Sequence, residues 1–213
     1  MSRLKVTETF TSLQGEALAS GWPTFFIRLT GCPLRCVWCD TAYAFGGGAW
    51  QDIEELVDLA AASGVRHVCV TGGEPLAQAA CSELLTALCD REFEVSLETS
   101  GALDIAGVDP RVSRVVDVKP PGSGESHRNR AENLELLTAR DQLKFVLRDR
   151  TDYEWSRQRV EEHSLAARCT VWFSPSADEL PARQLADWIV EDRLPVRMQV
   201  QLHKLLWGGE AGR

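Results

Sequence analysis

Three cysteines, Cys32, Cys36 and Cys39, stand at Cys-x3-Cys-x2-Cys spacing directly after a β-branched and aromatic run from Thr24 to Thr30. A loop with that spacing can present thiolates to three irons of a 4Fe-4S cluster, and no nearby fourth cysteine completes the usual set of four. One iron is then left open. An open metal position is where a small molecule can bind and react, as at the fourth position of catalytic zinc. Gly31 and Pro33 suit a chain that folds back around a cluster, and Trp38 can shield it from water. The same residues also allow a zinc loop or three core thiols.

The other four cysteines, Cys69, Cys81, Cys89 and Cys169, are scattered without Cys-x2-Cys pairing. With seven in all, a disulfide framework is disfavoured, and these four read as buried small hydrophobes rather than ligands of a second cluster. The formal charge of -8 disfavours a broad nucleic-acid or anionic-membrane surface and leaves small molecules as the expected partners. No apolar stretch approaches the ~18 residues that span a bilayer, and no positive n-region with a long apolar run opens the chain, so a cytoplasmic protein is expected. At 213 residues, residues 1–213 read as one domain with a sizeable core.

Residues 4–10 read as a strand, Ser12 to Glu16 as a loop, and Thr24 to Thr30 as a strand. A glycine-rich turn over Gly46 to Gly48 precedes a helix from Asp52 to Ser63, capped by Asp52, stopped by Gly64 and carrying Ile53, Leu56, Val57 and Ala60 on one face. Strands and helices then alternate: strand 68–71, helix 76–91, strands 94–98 and 114–118, helix 133–139, strand 143–147, helix 152–166, strand 170–173, helix 178–190 and strand 196–202. Such alternation predicts βα units and a mostly parallel sheet. Pro, Gly, Ser and His crowd residues 119–132, which read as an irregular loop. Fewer than eight strand-helix units predict an incomplete (β/α) barrel, open on one side and closed by a second subunit.

The unusual residues gather at strand ends. Cys32 follows the strand ending at Thr30, Gly72-Gly73-Glu74-Pro75 follows Thr71, and Thr99-Ser100-Gly101 follows Glu98; Lys119-Pro120, Ser174-Pro175 and His203-Lys204 follow the later strands. In a parallel barrel these ends share one face, the face that carries the chemistry. Scattered motifs then predict a single site.

The three-cysteine loop followed by Thr71-Gly72-Gly73-Glu74-Pro75 resembles the radical S-adenosylmethionine (SAM) superfamily, whose fold is an incomplete (β/α) barrel. The resemblance implies a 4Fe-4S cluster on Cys32, Cys36 and Cys39 whose open iron chelates SAM. Reductive cleavage of the sulfonium to a 5′-deoxyadenosyl radical is implied with it. It also implies that the Gly-Gly-Glu element, Gly73 and Glu74, holds the SAM amino group.

A narrower resemblance rests on Ser12-Leu13-Gln14-Gly15-Glu16, Phe26-Ile27-Arg28-Leu29-Thr30-Gly31-Cys32, Cys39-Asp40-Thr41 and Gln201-Leu202-His203-Lys204. Together these are similar to the 7-carboxy-7-deazaguanine synthase family, over nearly the whole chain. The implied reaction is conversion of 6-carboxy-5,6,7,8-tetrahydropterin to 7-carboxy-7-deazaguanine with loss of ammonia, on the way to queuosine. Hydrogen leaves C6, a ring contraction follows, and the hydrogen returns to regenerate SAM. The resemblance implies substrate contacts at Leu13, Gln14, Gly15, Glu16, Arg28, Thr71 and His203, SAM contacts also at Asp117, Lys119 and Ser174, and a magnesium ion at Thr41. It further implies a lyase, an electron donor such as flavodoxin or ferredoxin, and a homodimer. Ser174-Pro175-Ser176 departs from the Gln-Pro form found in some relatives, and the ending after Lys204 is longer and richer in glycine than in some relatives. Leu205, Leu206 and Trp207 in that ending read as packing on a partner subunit or capping the barrel bottom. Two other activities fit parts of this pattern: a radical SAM activase of a glycyl-radical enzyme, and an iron-sulfur electron carrier or sensor without catalysis.

Overall fold

The protein is described by a computed structural model in which residues 2–177, 179–208, 210 and 212 are placed. Nine strands form one open sheet in the order β3-β1-β2-β4-β5-β6-β7-β8-β9. They are β1 (Arg3–Leu13), β2 (Pro23–Leu29), β3 (Ala49–Asp52), β4 (His67–Gly72), β5 (Glu94–Thr99), β6 (Ser113–Asp117), β7 (Gln142–Leu147), β8 (Thr170–Pro175) and β9 (Arg197–Met198). From β2 to β9 every pairing is parallel, while β1 runs antiparallel to both β2 and β3. The sheet is therefore the expected incomplete barrel, with β3 and β9 as its edges.

The parallel strands are near-continuous apolar runs such as Val68-Cys69-Val70 and Phe145-Val146-Leu147, as strands covered on both faces require. Helix α1 (Ile53–Ala62) covers one end of the sheet through Ile53, Leu56, Val57 and Ala60, all buried. The Glu55 carboxylate reaches back to the Asp52 N–H at 3.4 Å, closing a capping box. Truncating fully buried Leu56 to Ala would cost roughly 2–5 kcal/mol, since a side chain of that size leaves a cavity. Cys69, Cys81, Cys89 and Cys169 are buried free thiols, as their scatter predicts.

Several elements differ from the sequence reading, each for a tertiary reason. The predicted helix 76–91 starts only at Cys81 (α2, Cys81–Asp90). Before it, the Gln78 amide accepts from Lys5 N at 2.8 Å and donates to Lys5 O at 2.9 Å and Thr30 O at 3.0 Å, so the turn at residues 75–80 is tied to β1 and β2. The helix expected over 133–139 shrinks to α3 (Glu132–Glu135). The one expected over 152–166 divides into α4 (Arg150–Glu162) and α5 (Leu165–Arg168) at Ser164, whose φ is 49°.

Helix α6 (Ala182–Glu191) begins after Pro181, and Asp178, expected to open it, lies outside the described residues. The predicted strand 196–202 is only β9, and Leu202 instead opens helix α7 (Leu202–Trp207). The loop read over 12–16 begins later, because β1 continues to Leu13 in register with Pro23. Strand β3 was not anticipated at all; it pairs Ala49–Asp52 with Arg3–Val6.

Candidate active site

The carboxyl ends of the parallel strands open into one cavity of about 620 Å³. Cys32, Cys36 and Cys39 line it together, each free and partly exposed. Among the described residues no three His, Cys, Asp or Glu side chains converge as ligands of a single ion. A cubane asks for something else, because it offers each thiolate its own iron and needs thiols standing apart around a shared void. Cys32, Cys36 and Cys39 all border the same cavity. Burial pushes the Cys32 and Cys36 thiols up, against the pull of the Lys119 ammonium.

The glycine pair after β4 lies against this loop. A Cβ on Gly73 would stand 2.0 Å from Gly31 O and 3.2 Å from Cys32 Cβ, so only glycine allows the approach. Glu74 donates its N–H to Gly31 O at 2.8 Å. Its side chain turns away from the cavity. The carboxylate is fully buried and takes hydrogen bonds from Leu76 N (3.0 Å), the Thr99 hydroxyl (2.9 Å), and both Ser100 N (2.7 Å) and the Ser100 hydroxyl. It is absent from the cavity lining, which Gly72, Gly73, Thr99 and Ser100 form instead. Glu74 ties the loop after β4 to the loop after β5.

Leu13, Gln14, Gly15, Glu16, Arg28, Thr71, Asp117, Lys119, Ser174, Thr41 and His203 all line the same cavity. Gln14 Nε2 donates to Glu98 at 3.3 Å, and Thr71 Oγ1 donates to the other Glu98 oxygen at 2.9 Å. Their polar atoms are thus oriented before a ligand arrives. Arg28 Nε donates to Glu8 Oε1 at 2.7 Å, the oxygen that also accepts from the Tyr43 hydroxyl at 2.8 Å. Phe10 and Phe26 stack beneath, centroids 4.8 Å apart.

A charged chain crosses the cavity wall. Lys144 Nζ lies 2.6 Å from Glu16 Oε2 and 3.3 Å from Asp117 Oδ2, and Lys119 Nζ lies 3.1 Å from the same Asp117 oxygen. Burial alone would push Glu16 and Asp117 up, but the lysines hold both carboxyls below the usual range. Asp117 Oδ1 is buried with no hydrogen-bond partner among the described residues. Asn129 clamps the Lys119 backbone from both sides, at 2.8 Å and 2.7 Å.

The carboxyl-terminal segment forms the remaining wall. Gln201 Nε2 donates to Glu16 Oε1 at 2.7 Å, Leu202 N donates to Gly15 O at 3.0 Å, and Lys204 Nζ lies 3.3 Å from Asp40 Oδ2. Helix α7 therefore sits over the strand ends, not at the barrel bottom, and Leu205 and Leu206 are exposed. Gly208, Glu210 and Gly212 reach the cavity, while residues 209, 211 and 213 of that ending lie outside the described residues. Thr41 donates to Asp40 Oδ1 at 2.8 Å, leaving its own lone pairs outward. One hydroxyl with ligand and water oxygens is a donor set that suits magnesium. Burial works to raise the Asp40 carboxyl, but Thr41, Lys204 and Gln201 hold it at about 2.

Sequence reasoning did not find Glu8, Tyr43, Glu98, Lys144 or Gln199 as site residues. Glu8, Glu98 and Lys144 sit on strands, where a single polar residue reads as solvent-facing. Only Glu98, one residue before the end of β5, carried the signal of a strand-end position; Glu8 and Lys144 lie mid-strand.

An open, mostly parallel sheet with three thiols and a glycine pair around one cavity at its strand ends defines a radical SAM protein, and the Radical SAM superfamily model matches residues 26–117. The chain is 43% identical over 211 residues to the 7-carboxy-7-deazaguanine synthase of Chlorobaculum tepidum, covering 98% of this chain and 96% of that one. It is 39% identical over 224 residues to the synthase of Koribacter versatilis, covering 97% and 98%. It belongs to the 7-carboxy-7-deazaguanine synthase family. Its fold is shared with the crystal structure of QueE from Escherichia coli, at a TM-score of 0.76 and 24% identity over 94% of this chain and 95% of that one. It is also shared with Streptococcus suis SuiB, at a TM-score of 0.60 and 14% identity over 80% of this chain and 46% of that one.

Proposed function

We propose that this chain, acting as a single domain over residues 1–213, converts 6-carboxy-5,6,7,8-tetrahydropterin to 7-carboxy-7-deazaguanine with loss of ammonia, in queuosine biosynthesis. The observation that carries this is near full-length identity to 7-carboxy-7-deazaguanine synthases, together with one cavity into which the three thiols and the polar residues above converge. When bound, the 4Fe-4S cluster and SAM supply a one-electron cleavage that yields a carbon radical able to take hydrogen from C6 of the substrate.

The chain's own residues bind and orient. Arg28, fixed by Glu8, offers the rest of its guanidinium to the substrate carboxylate. Gln14 and Thr71, turned by Glu98, and Glu16, turned by Lys144 and Gln201, read the polar edge of the ring system, with His203 on the α7 side. The backbone at Gly73 and the side chains of Asp117, Lys119 and Ser174 form the SAM side. Thr41 would hold magnesium, which would supply electrostatic stabilisation to oxygen ligands at the site. Close placement of the target carbon supplies much of the rate, and α7 keeps water and competing hydrogen donors out.

The cytoplasm as location, flavodoxin or ferredoxin as electron donor and a homodimer as the working form complete the reading. Among the described residues no helix is long and apolar enough to cross a membrane, which agrees with a small-molecule enzyme working in the cytoplasm. A cavity roofed by α7 favours a small ligand over the protein substrate of a glycyl-radical activase. Anaerobically reconstituted protein given SAM, a reductant and 6-carboxytetrahydropterin should form 7-carboxy-7-deazaguanine. A loaded cluster that cleaves SAM without product would favour the activase, and a cluster spectrum unchanged by SAM would favour an electron carrier.

A further inference from the structure

Three cavity carboxylates from three separate parts of the chain face one ammonium. Glu16 comes from the turn between β1 and β2, Glu98 from the end of β5, Asp117 from the end of β6, and Lys144 from the middle of β7. Lys144 touches Glu16 and Asp117 directly, and Glu98 lies within reach of its field. The second lysine, Lys119, is in contact with Asp117 alone among these acids. Arg28 is paired with Glu8. Glu98 has hydrogen-bond donors, Gln14 and Thr71, but no cation in contact among the described residues. The Lys144 and Glu16 side chains are 13% and 12% exposed, so solvent screens this pair weakly.

We propose that Lys144 is a positioning residue for the reaction: it fixes the Glu16 carboxylate and offsets the charge of Glu16 and Asp117 on the cavity wall, so that the cavity admits an anionic substrate. This rests on the pterin reading above, since it is the substrate's own carboxylate that an uncompensated wall would repel. Among the described residues facing Glu16, Lys144 is the one cation; Gln199 and Gln201 are neutral donors at 3.3 Å and 2.7 Å, and Asp117 is a like charge. Removing the ammonium leaves Glu16 without a cation in contact and Asp117 with Lys119 alone, while Glu98 keeps only the field of Arg28, itself paired with Glu8. The wall then relieves itself by taking up a proton as pH falls.

The test is anaerobic titration calorimetry of the cluster-loaded, SAM-bound protein with 6-carboxypterin, an anionic analogue, across pH. Lys144→Gln keeps a donor and a similar shape without charge, and Lys144→Arg restores the charge. The wild type should bind with little pH dependence between about pH 6 and pH 8. Lys144→Gln should bind at least about tenfold more weakly near pH 8, the deficit shrinking to about threefold or less near pH 6, and Lys144→Arg should stay within about threefold of wild type throughout. Lys144→Gln binding like wild type, or weakened equally at every pH, would overturn the proposal and leave Lys144 a structural ion pair. Failure of the wild type to bind 6-carboxypterin would instead overturn the pterin reading and this inference with it.

Discussion

Glu8 and Arg28 face each other across the antiparallel β1–β2 pair, and the Arg28 Nε lies 2.7 Å from Glu8 Oε1. A cross-strand neighbour thus aims the guanidinium at the cavity, with the Tyr43 hydroxyl bracing the same oxygen at 2.8 Å. Glu8→Gln keeps the shape and removes the charge-assisted bond. The substrate KM should rise about tenfold, equivalent to ~1.4 kcal/mol, with kcat within about twofold. Steady-state kinetics checks this; an unchanged KM would mean Arg28 is aimed without Glu8.

Glu74 should matter more for stability than for ligand contact. Its buried carboxylate satisfies Leu76 N, Ser100 N and two hydroxyls, and truncation strands them all. Glu74→Ala should lose about 3 kcal/mol in urea denaturation of the cluster-free protein, while Glu74→Gln should lose less. A loss below about 1 kcal/mol in the alanine variant would contradict the tie between the two loops.

The site also constrains a backbone position. A Cβ on Gly15 would fall 2.1 Å from His203 Nδ1, so Gly15→Ala must turn the His203 imidazole aside and disturb the packing of α7 over the cavity. Hydrogen exchange across residues 201–207 should quicken at least about tenfold, and turnover should fall by a similar factor, as the wall over the cavity loosens. Unchanged exchange would show that α7 does not depend on this contact.

Acid sensitivity should trace to Asp141. Burial raises its carboxyl, but hydrogen bonds from Arg114 and Thr138 outweigh it and set the folded value below the unfolded one. The sign follows. Stability is fully present above the unfolded value of ~3.9 and is lost as pH falls through the lower folded value. Urea midpoints should therefore decline below about pH 4, and Asp141→Asn should lower the plateau at neutral pH while flattening that decline. An equally steep decline in the variant would place the acid sensitivity elsewhere.

Local pattern was enough for the parallel core and for most of the site. The apolar run Val68-Cys69-Val70 before Gly72-Gly73 marks β4, and Phe145-Val146-Leu147 marks β7, because a strand covered on both faces is rich in apolar residues. The three thiols and the glycine pair stood out because their chemistry is rare at strand ends, whereas Arg28 came only with the family resemblance. Glu74 carried the right motif, yet its carboxylate turned inward once Thr99 and Ser100 from the next strand were near enough to satisfy it.

What tertiary structure alone decided is where long-range polar contacts win over local preference. Residues 199–202 have strand propensity at the start and continue as one only on paper. In the fold, Gln199 and Gln201 reach Glu16, Leu202 N reaches Gly15 O, and the chain turns into α7. The charged set of Glu16, Asp117 and Lys144 likewise joins residues far apart in the chain. Periodicity and motif spacing record neighbours along the chain and on one face of one element. Pairing between charges on different strands depends on strand order and register, which the sheet settles only when it is complete.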